Sequence, residues 1–262
     1  MMRINGISII TGRTAWHIPG DILEKIIPAV SANSVGGIFK MSIRSEYDRK
    51  LRMLSEAVLI MGSMVEKAVI NSIQALKNRD IPMATQIIEF DQTINDKRFE
   101  IEEKCVELIA TQQPMAGDLR TIIAILNITT EIERIGDYAM GNARIVILIG
   151  DEPLLKPLVD IPRMAEITVD MLHRSLDAFI NRDADTARKI IYEDDQVDNL
   201  YDQVFRELLL FMAEDPKTIT RATRLMWTAH NLERAADRVT NICERIVFIV
   251  TGKMEEIGAS KY

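Results

Sequence analysis

Aromatic residues, glycine and proline are all scarce in this sequence. Aromatic side chains make up 5% of its 262 residues, and there are only 12 glycines and 8 prolines. Hydrophobic residues nevertheless make up 47%, with 14 methionines among them. Because glycine and proline interrupt helices and aromatic residues favour strands, this composition favours a helical core over a sheet.

Cysteine and histidine are rare as well. The two cysteines, Cys105 and Cys243, lie in apolar helical patterns without a Cys-x-x-Cys spacing, so we expect buried, reduced thiols. The three histidines are His17, His173 and His230. None of them completes the Glu-x-x-His motif that ferritin-like di-iron proteins carry on paired helices.

Charge and hydropathy exclude further classes of protein. The net charge is -7 and no basic stripe is present, so nucleic acid is not an expected partner. No apolar stretch has the length of a transmembrane helix, and the opening segment MMRINGISIITG is too short in apolar residues for a signal peptide. We therefore expect a cytoplasmic protein that meets membranes only peripherally, through a partner.

Motifs of the common enzyme classes are also missing. The sequence has no Gly-x-Ser-x-Gly, no P-loop and no dinucleotide-binding fingerprint. It offers no Cys-His or Ser-His arrangement for a nucleophile. We therefore expect a protein that is not an enzyme.

The sequence does contain a duplicated set of helical patterns. Residues 1–43 have no long helical period, and we predict a poorly ordered N-terminal extension there. Two similar units follow, 44–150 and 151–262, each with three apolar-periodic runs separated by breaks. The prediction is an all-α protein with six long helices in two tandem, pseudo-symmetric three-helix bundles.

A fixed step relates the two units. Moving forward 103 residues takes Asn78-Arg79-Asp80 to Asn181-Arg182-Asp183, and after the second break the step becomes 100 residues. In the third helix of each unit, apolar and small residues recur every three or four positions, which predicts a heptad-like packing seam. The predicted seam residues are Ile122, Ile125, Thr129, Ile132, Gly136, Ala139, Ala143 and Val146, then Leu225, Ala229, Leu232, Ala236, Val239, Cys243 and Ile246.

Acidic residues one helical turn apart lie beside these seams in both units. Carboxylates packed this closely repel one another, and a hard divalent or trivalent cation would offset the repulsion. A structural alternative is also open: Arg134 and Arg234 follow each Glu, and arginines on neighbouring helices could neutralise the acids. The candidate metal ligands are Asp91, Glu133, Asp137, Asp194, Asp198, Glu233 and Asp237, with Asn95 in place of an acid in the first unit.

These residues resemble a known family. The motifs ERIGDYA at 133–139 and ERAADRVTNICE at 233–244, with QQPMAGDLR at 112–120 and SEYDRKL at 45–51, are similar to the PhoU family of phosphate-transport regulators. The resemblance covers about residues 45–250. It implies a cytoplasmic accessory protein that represses the phosphate-starvation response between the phosphate ABC transporter with its ATPase and a sensor histidine kinase. It also implies iron or zinc clusters at the repeated acidic motifs.

Three functional interpretations stay open. The first is a negative regulator of phosphate uptake and starvation signalling, a homodimer with metal ions on the candidate ligands. The second is a metal-free helical adaptor of the same fold, in which the acids pair with arginine. The third is a carboxylate-bridged di-metal hydrolase or oxidase, against which the lack of paired histidines argues.

Overall fold

The computed structural model describes residues 38–255 and residue 257, and nearly all of this part of the chain is helical. No strand occurs among these residues, so the predicted all-α class is confirmed. A short 3₁₀ turn, Pro216–Thr218, precedes the last helix. The α-helices are α1 (Ile38–Asn78), α2 (Ile81–Gln112), α3 (Ala116–Ile149), α4 (Asp160–Asn181), α5 (Ala184–Glu193), α6 (Asp195–Glu214) and α7 (Ile219–Thr251).

The six predicted long helices are present, and the fifth of them contains an irregular turn. The helix that follows α4 is divided at Asp194 into α5 and α6. Asp194 keeps helical dihedral angles, φ -54° and ψ -37°, but its carbonyl oxygen accepts from two amides, Val197 N at 2.8 Å and Asp198 N at 3.2 Å. A shared carbonyl of this kind marks a locally tightened turn. The irregular turn therefore falls on a candidate metal ligand.

The start of the helical part also differs from the prediction. Helix α1 begins at Ile38, inside the segment 1–43 that the sequence predicts to be a poorly ordered extension. Residues 1–37 lie outside the described residues, so the prediction is not tested for them.

The duplicated Asn-Arg-Asp segments form the same turn twice. Arg79 and Arg182 both adopt left-handed backbone conformations, with φ of 56° and 53°. The following residue then caps the next helix: Asp80 accepts from Met83 N at 2.9 Å, and Asp183 caps α5 in the same way. Aspartate is among the best N-cap residues, so the repeated motif has a structural explanation.

Helices from both predicted units pack together. Helix α3 packs along α2 and along α7, and α7 also packs against α4, α5 and α6. Gly136 of α3 faces Val65 of α1 and Ile94 of α2, while Gly62 of α1 faces Leu176 of α4. Residues from Ile43 onward form one compact unit. The boundary at residue 150 between two bundles stays a prediction.

The buried residues follow the predicted pattern. Every predicted seam residue of α3 and α7 is buried. Cys105 and Cys243 are buried and free, as predicted. Within the described residues, no helix has an apolar stretch long enough to cross a bilayer.

Candidate metal-binding sites

The candidate ligands form two groups on neighbouring helices. The first acidic set lies on α2 and α3, and the second lies at the α5–α6 junction, on α6 and on α7. In each case the helices that carry the acids pack against each other. The first acidic set is Asp91, Asn95, Glu133 and Asp137; the second acidic set is Asp194, Asp198, Glu233 and Asp237.

In the first acidic set, an amide partly satisfies the buried acid. Asn95 Nδ2 donates to Asp91 Oδ2 at 3.0 Å, whereas Asp91 Oδ1 is buried without a hydrogen-bond partner. Burial raises the pKa of Asp91, the charge of Asp137 raises it further, and the bond from Asn95 opposes both. The carboxylates of α2 and α3 are therefore close enough to affect each other's ionisation.

Arg98 adds a cation to the first acidic set. Its Nη1 lies 3.5 Å from Oε1 of Glu133, whose side chain is only 13% exposed. Burial raises the pKa of Glu133, Arg98 lowers it, and the charges of Asp137 and Asp91 raise it again. An arginine on the neighbouring helix α2 therefore acts on Glu133, and Arg134, which pairs with Glu131, also lowers the pKa of Glu133 by charge.

The second acidic set is more strongly perturbed. Burial, with added repulsion from Asp198, Asp237 and Glu233, raises the pKa of Asp194 to about 8. Burial and the charges of Asp237 and Asp198 raise the pKa of Glu233 to about 7, against opposition from Arg234 and Arg238. Near neutral pH this set therefore holds protons that ordinary carboxyl groups would have released.

Burial is the largest cause of the raised pKa values in both sets, and two substitutions between the repeats add to the difference. The 103-residue step matches Asn95 with Asp198 and Arg98 with Tyr201. The first acidic set thus has three carboxylates with Arg98 beside them, while the second has four carboxylates and a tyrosine, with the charges of Arg234 and Arg238 acting on Glu233 and Asp237. The pKa of Tyr201 is raised by burial and by the charge of Glu233, which places its hydroxyl group in the same negative surroundings. Sequence reasoning missed Arg98 and Tyr201, although the repeat step could have found them.

The chemistry of both sets fits a hard cation. Among the described residues, the buried carboxylate oxygens that lack a hydrogen-bond partner are Asp91 Oδ1, Asp194 Oδ1 and Glu233 Oε2. Unpaired buried oxygens of this kind are costly unless something else satisfies them, and oxygen-only donors suit hard ions. No three acidic, histidine or cysteine side chains of the described residues stand ready as a metal-ligand group, so binding would require side-chain rotation.

Histidine contributes little to either set. His230 Nδ1 lies 3.2 Å from Glu233 Oε2, but the atoms are not aligned for a hydrogen bond. Its ring packs on Tyr201 at 5.9 Å. His173 is 64% exposed and faces Glu66 of α1, which belongs to neither acidic set.

Known proteins match this chain over most of its length. The PhoU domain model matches residues 58–146 and 161–246, once in each predicted unit. The phosphate-specific transport system accessory protein PhoU homolog of Clostridium acetobutylicum is 37% identical over 216 residues, which is 82% of this chain and 99% of that protein. The PhoU accessory protein of Escherichia coli is 36% identical over 211 residues, 80% of this chain and 88% of that protein.

Solved structures agree with the sequence matches. The crystal structure of the phosphate transport system regulatory protein PhoU from Streptococcus pneumoniae superposes with a TM-score of 0.76 at 31% identity, covering 80% of this chain and 100% of that one. PhoU from Pseudomonas aeruginosa gives a TM-score of 0.75 at 35% identity, with 79% and 100% coverage. The chain therefore belongs to the PhoU family.

Proposed function

We propose that this protein is an accessory protein of phosphate-specific transport that lowers phosphate uptake and the starvation response when phosphate is plentiful. The observation that carries the proposal is the match to proteins named as phosphate-transport accessory proteins across 99% of the length of one of them. The PhoU domain model, which matches residues 58–146 and 161–246, includes both acidic sets. The expected partners are the ATPase of the phosphate ABC transporter and a sensor histidine kinase, in the cytoplasm.

The acidic sets are the proposed regulatory surface. Asp194 and Glu233 are held close together by packing of α7 against α5 and α6, and the pKa of each is raised. Without a counter-charge, such a surface would repel acidic or phosphorylated groups of a partner. The chain's own side chains therefore set whether the surface attracts or repels.

A bound cation is the proposed counter-charge. Asp91, Glu133 and Asp137 would hold it in the first acidic set, and Asp194, Asp198, Glu233 and Asp237 in the second. When bound, it would supply positive charge and open coordination positions for acidic groups. The oxygen-only donors favour iron over zinc, because zinc sites usually include nitrogen or sulfur ligands.

The experiment is complementation in a strain that lacks the gene and carries a phosphate-starvation reporter. Wild-type protein should restore repression in high phosphate, and Asp194→Asn/Glu233→Gln should not. The matched control is Glu103→Gln, which neutralises an exposed acid of α2 and should behave as wild type. Failure of wild-type protein to repress would contradict the regulatory role itself.

A metal-free adaptor is the second candidate. The Arg98–Glu133 pair favours it, because an arginine already neutralises one carboxylate of the first acidic set. In that case Asp194→Asn/Glu233→Gln would still repress, and partner binding would be unchanged by chelators. Co-purification with the transporter ATPase and with the kinase, with and without EDTA, separates the two candidates. The same preparation, run on a sizing column with light scattering, tests the expected homodimer.

A di-metal hydrolase or oxidase remains the least supported interpretation. The relatives named above are transport accessory proteins, and His230 is near Glu233 without forming the Glu-x-x-His arrangement. Turnover that depends on added iron or manganese would favour this interpretation.

A further inference from the structure

A cavity of about 320 Å³ opens where α3 packs against α7. Its walls are rich in guanidinium groups and come from both repeats. The 100-residue step matches Arg134 with Arg234 and Tyr138 with Arg238, so the cavity joins equivalent positions of the two halves. We call it the arginine pocket, and its lining residues are Arg134, Asp137, Tyr138, Arg234 and Arg238.

The positive charge of the arginine pocket is only partly neutralised at close range. Glu131 is shared by two arginines, at 3.0 Å from Arg134 and 3.4 Å from Arg238, and it also accepts from Asn241. The charges of Arg234 and Arg238 also lower the pKa values of Glu233 and Asp237 in the second acidic set, against the effect of burial. One carboxylate therefore serves two guanidinium groups at the wall of a cavity.

Arg234 and Arg238 both keep donors available. The guanidinium carbon of Arg234 lies 5.2 Å from the centre of the Tyr138 ring, a stacking that fixes the plane of the guanidinium group without using its N–H groups. Arg238 is largely buried, and its Nε has no hydrogen-bond partner in the described residues. Because Nε is closed off from solvent, the donors that Arg238 can offer to a ligand in the pocket are those of its Nη groups, of which Nη1 already lies 3.4 Å from Glu131.

Guanidinium groups that converge on a cavity match the chemistry of a phosphate group. Their paired N–H donors bind phosphate oxygens two at a time. The volume is at the small end for ligand pockets, which suits free phosphate with some water, or the phosphate group of a small metabolite. These two sources share the same recognised group.

Asp137 gives the pocket a further preference. Its carboxylate lines the same wall as the arginines, where it would repel a fully ionised anion. Phosphate near neutral pH still carries a proton on part of its population, and a carboxylate can accept a hydrogen bond from that P–OH group. Sulfate has no such proton, so a carboxylate among arginines discriminates between the two anions.

We propose that the arginine pocket between α3 and α7 binds a phosphate group, with Arg234 and Arg238 as donors and Asp137 as the acceptor that selects phosphate over sulfate. Phosphate would bridge the two repeats at their shared helix pair. The idea that bound phosphate signals the phosphate supply rests on the proposed function, whereas the binding of phosphate to the pocket does not.

The test is equilibrium dialysis of the purified full chain with radiolabelled inorganic phosphate in EDTA, which removes metal-bound phosphate. Wild-type protein should bind saturably, and Arg234→Gln should weaken binding at least tenfold. Arg206→Gln is the matched control, because Arg206 is a 76% exposed arginine paired with Asp202 on the surface of α6. Circular dichroism confirms that each variant is folded, and Arg234→Lys should retain part of the affinity.

Competition defines the ligand. Unlabelled phosphate should displace the labelled phosphate far better than sulfate does. The Asp137→Asn substitution should reduce this preference for phosphate over sulfate. A nucleoside triphosphate that displaces the label better than phosphate would identify a metabolite as the source of the group. Absence of saturable binding, equal binding by Arg234→Gln, or binding that EDTA abolishes would each overturn the proposal. If phosphate binding is contradicted in one of these ways and the wild-type protein still represses the reporter, only the pocket proposal fails and the proposed function stands.

Discussion

The two acidic sets occupy equivalent places in a duplicated fold, yet they differ in charge. In the first acidic set, Asn95 donates to Asp91 and Arg98 lies beside Glu133. In the second, Asp198 and Tyr201 take the places of Asn95 and Arg98, and the pKa of Asp194 rises to about 8. The same duplicated fold therefore contains one set in which an amide and an arginine contact the carboxylates, and one in which two carboxyl groups keep protons near neutral pH.

The difference between the two acidic sets shows that equivalent sites in a duplicated fold can differ in charge. The seams of α3 and α7 are buried alike, although the irregular turn at Asp194 occurs only in the second acidic set. Two side chains on the second helix of each unit also distinguish the repeats. We infer that the second acidic set is the stronger cation site and that the first is closer to the metal-free state of the adaptor interpretation.

The largest expected effect is on metal content. Asp194→Asn/Glu233→Gln should remove the tighter-bound ion, because it neutralises the two acids whose pKa values are raised most among the candidate ligands. Asp91→Asn/Glu133→Gln should remove only the weaker one. Elemental analysis after dialysis against increasing chelator should show the first variant losing metal at least about tenfold more readily than the second.

Equal metal loss from both variants would show that the charge difference between the sets does not control affinity. Glu103→Gln should match wild type throughout and serves as the control for handling.

Exchanging the residues at the two positions that differ between the sets should exchange the metal affinities of the sets. Asn95→Asp/Arg98→Tyr gives the first acidic set the four carboxylates of the second, and metal affinity there should rise about tenfold, equivalent to roughly 1.4 kcal/mol. Asp198→Asn/Tyr201→Arg should lower the affinity of the second set by a similar factor. Metal titration of each variant, with the other set neutralised, measures both changes. Unchanged affinities would locate the determinant outside these positions.

The comparison between the sets was only partly accessible from the sequence. The repeat step placed the acids on matching helices, and Asn95 stood out because it replaced a carboxylate. Arg98 did not stand out, because it lies outside the Glu-Arg-x-x-Asp motif and its effect depends on the distance from α2 to Glu133 across the helix interface. The repeat step pairs position 98 with position 201, but only the three-dimensional structure shows that Arg98 reaches Glu133.

The fold was predicted more completely than the site. The periodic seams and the Asn-Arg-Asp breaks specify local helix faces and ends, which sequence patterns encode directly. The turn at Asp194 was missed, since the pattern of apolar residues continues through it and only the shared carbonyl of Asp194 shows the irregularity. The arginine pocket was missed because its residues meet only when α3 packs on α7.

The free energy of unfolding of the metal-free protein should decrease as pH rises. Asp194 and Glu233 have native pKa values of about 8 and about 7, above the values near 4 expected in the unfolded chain. Between about pH 4 and 8 the native state therefore binds more protons than the unfolded state, and stability falls with pH. We expect a loss of about 1–3 kcal/mol from pH 5 to pH 8.

Urea unfolding in EDTA across this pH range measures the slope. Asp194→Asn should flatten it, whereas Asp91→Asn should flatten it less, because Asn95 already opposes the shift there. A slope that both variants leave unaltered would mean that other groups cause the pH dependence.

The smallest expected effect tests a feature in which the repeats have not diverged. Arg79 and Arg182 hold left-handed conformations, φ 56° and 53°, that cost an ordinary residue about 1–2 kcal/mol relative to glycine. Arg182→Gly should therefore raise the free energy of unfolding by about 0.5–1 kcal/mol, after the greater freedom of glycine in the unfolded chain is subtracted. Arg79→Gly should raise the free energy of unfolding by less, because the Arg79 side chain donates to the Asp151 carbonyl at 3.2 Å and glycine loses that bond.

Thermal unfolding of the two variants should show increases in Tm of about 1–3 °C, with the larger increase for the variant at residue 182. A decrease at both positions would indicate that the arginine side chains, and not the backbone conformation, explain why this turn carries arginine twice.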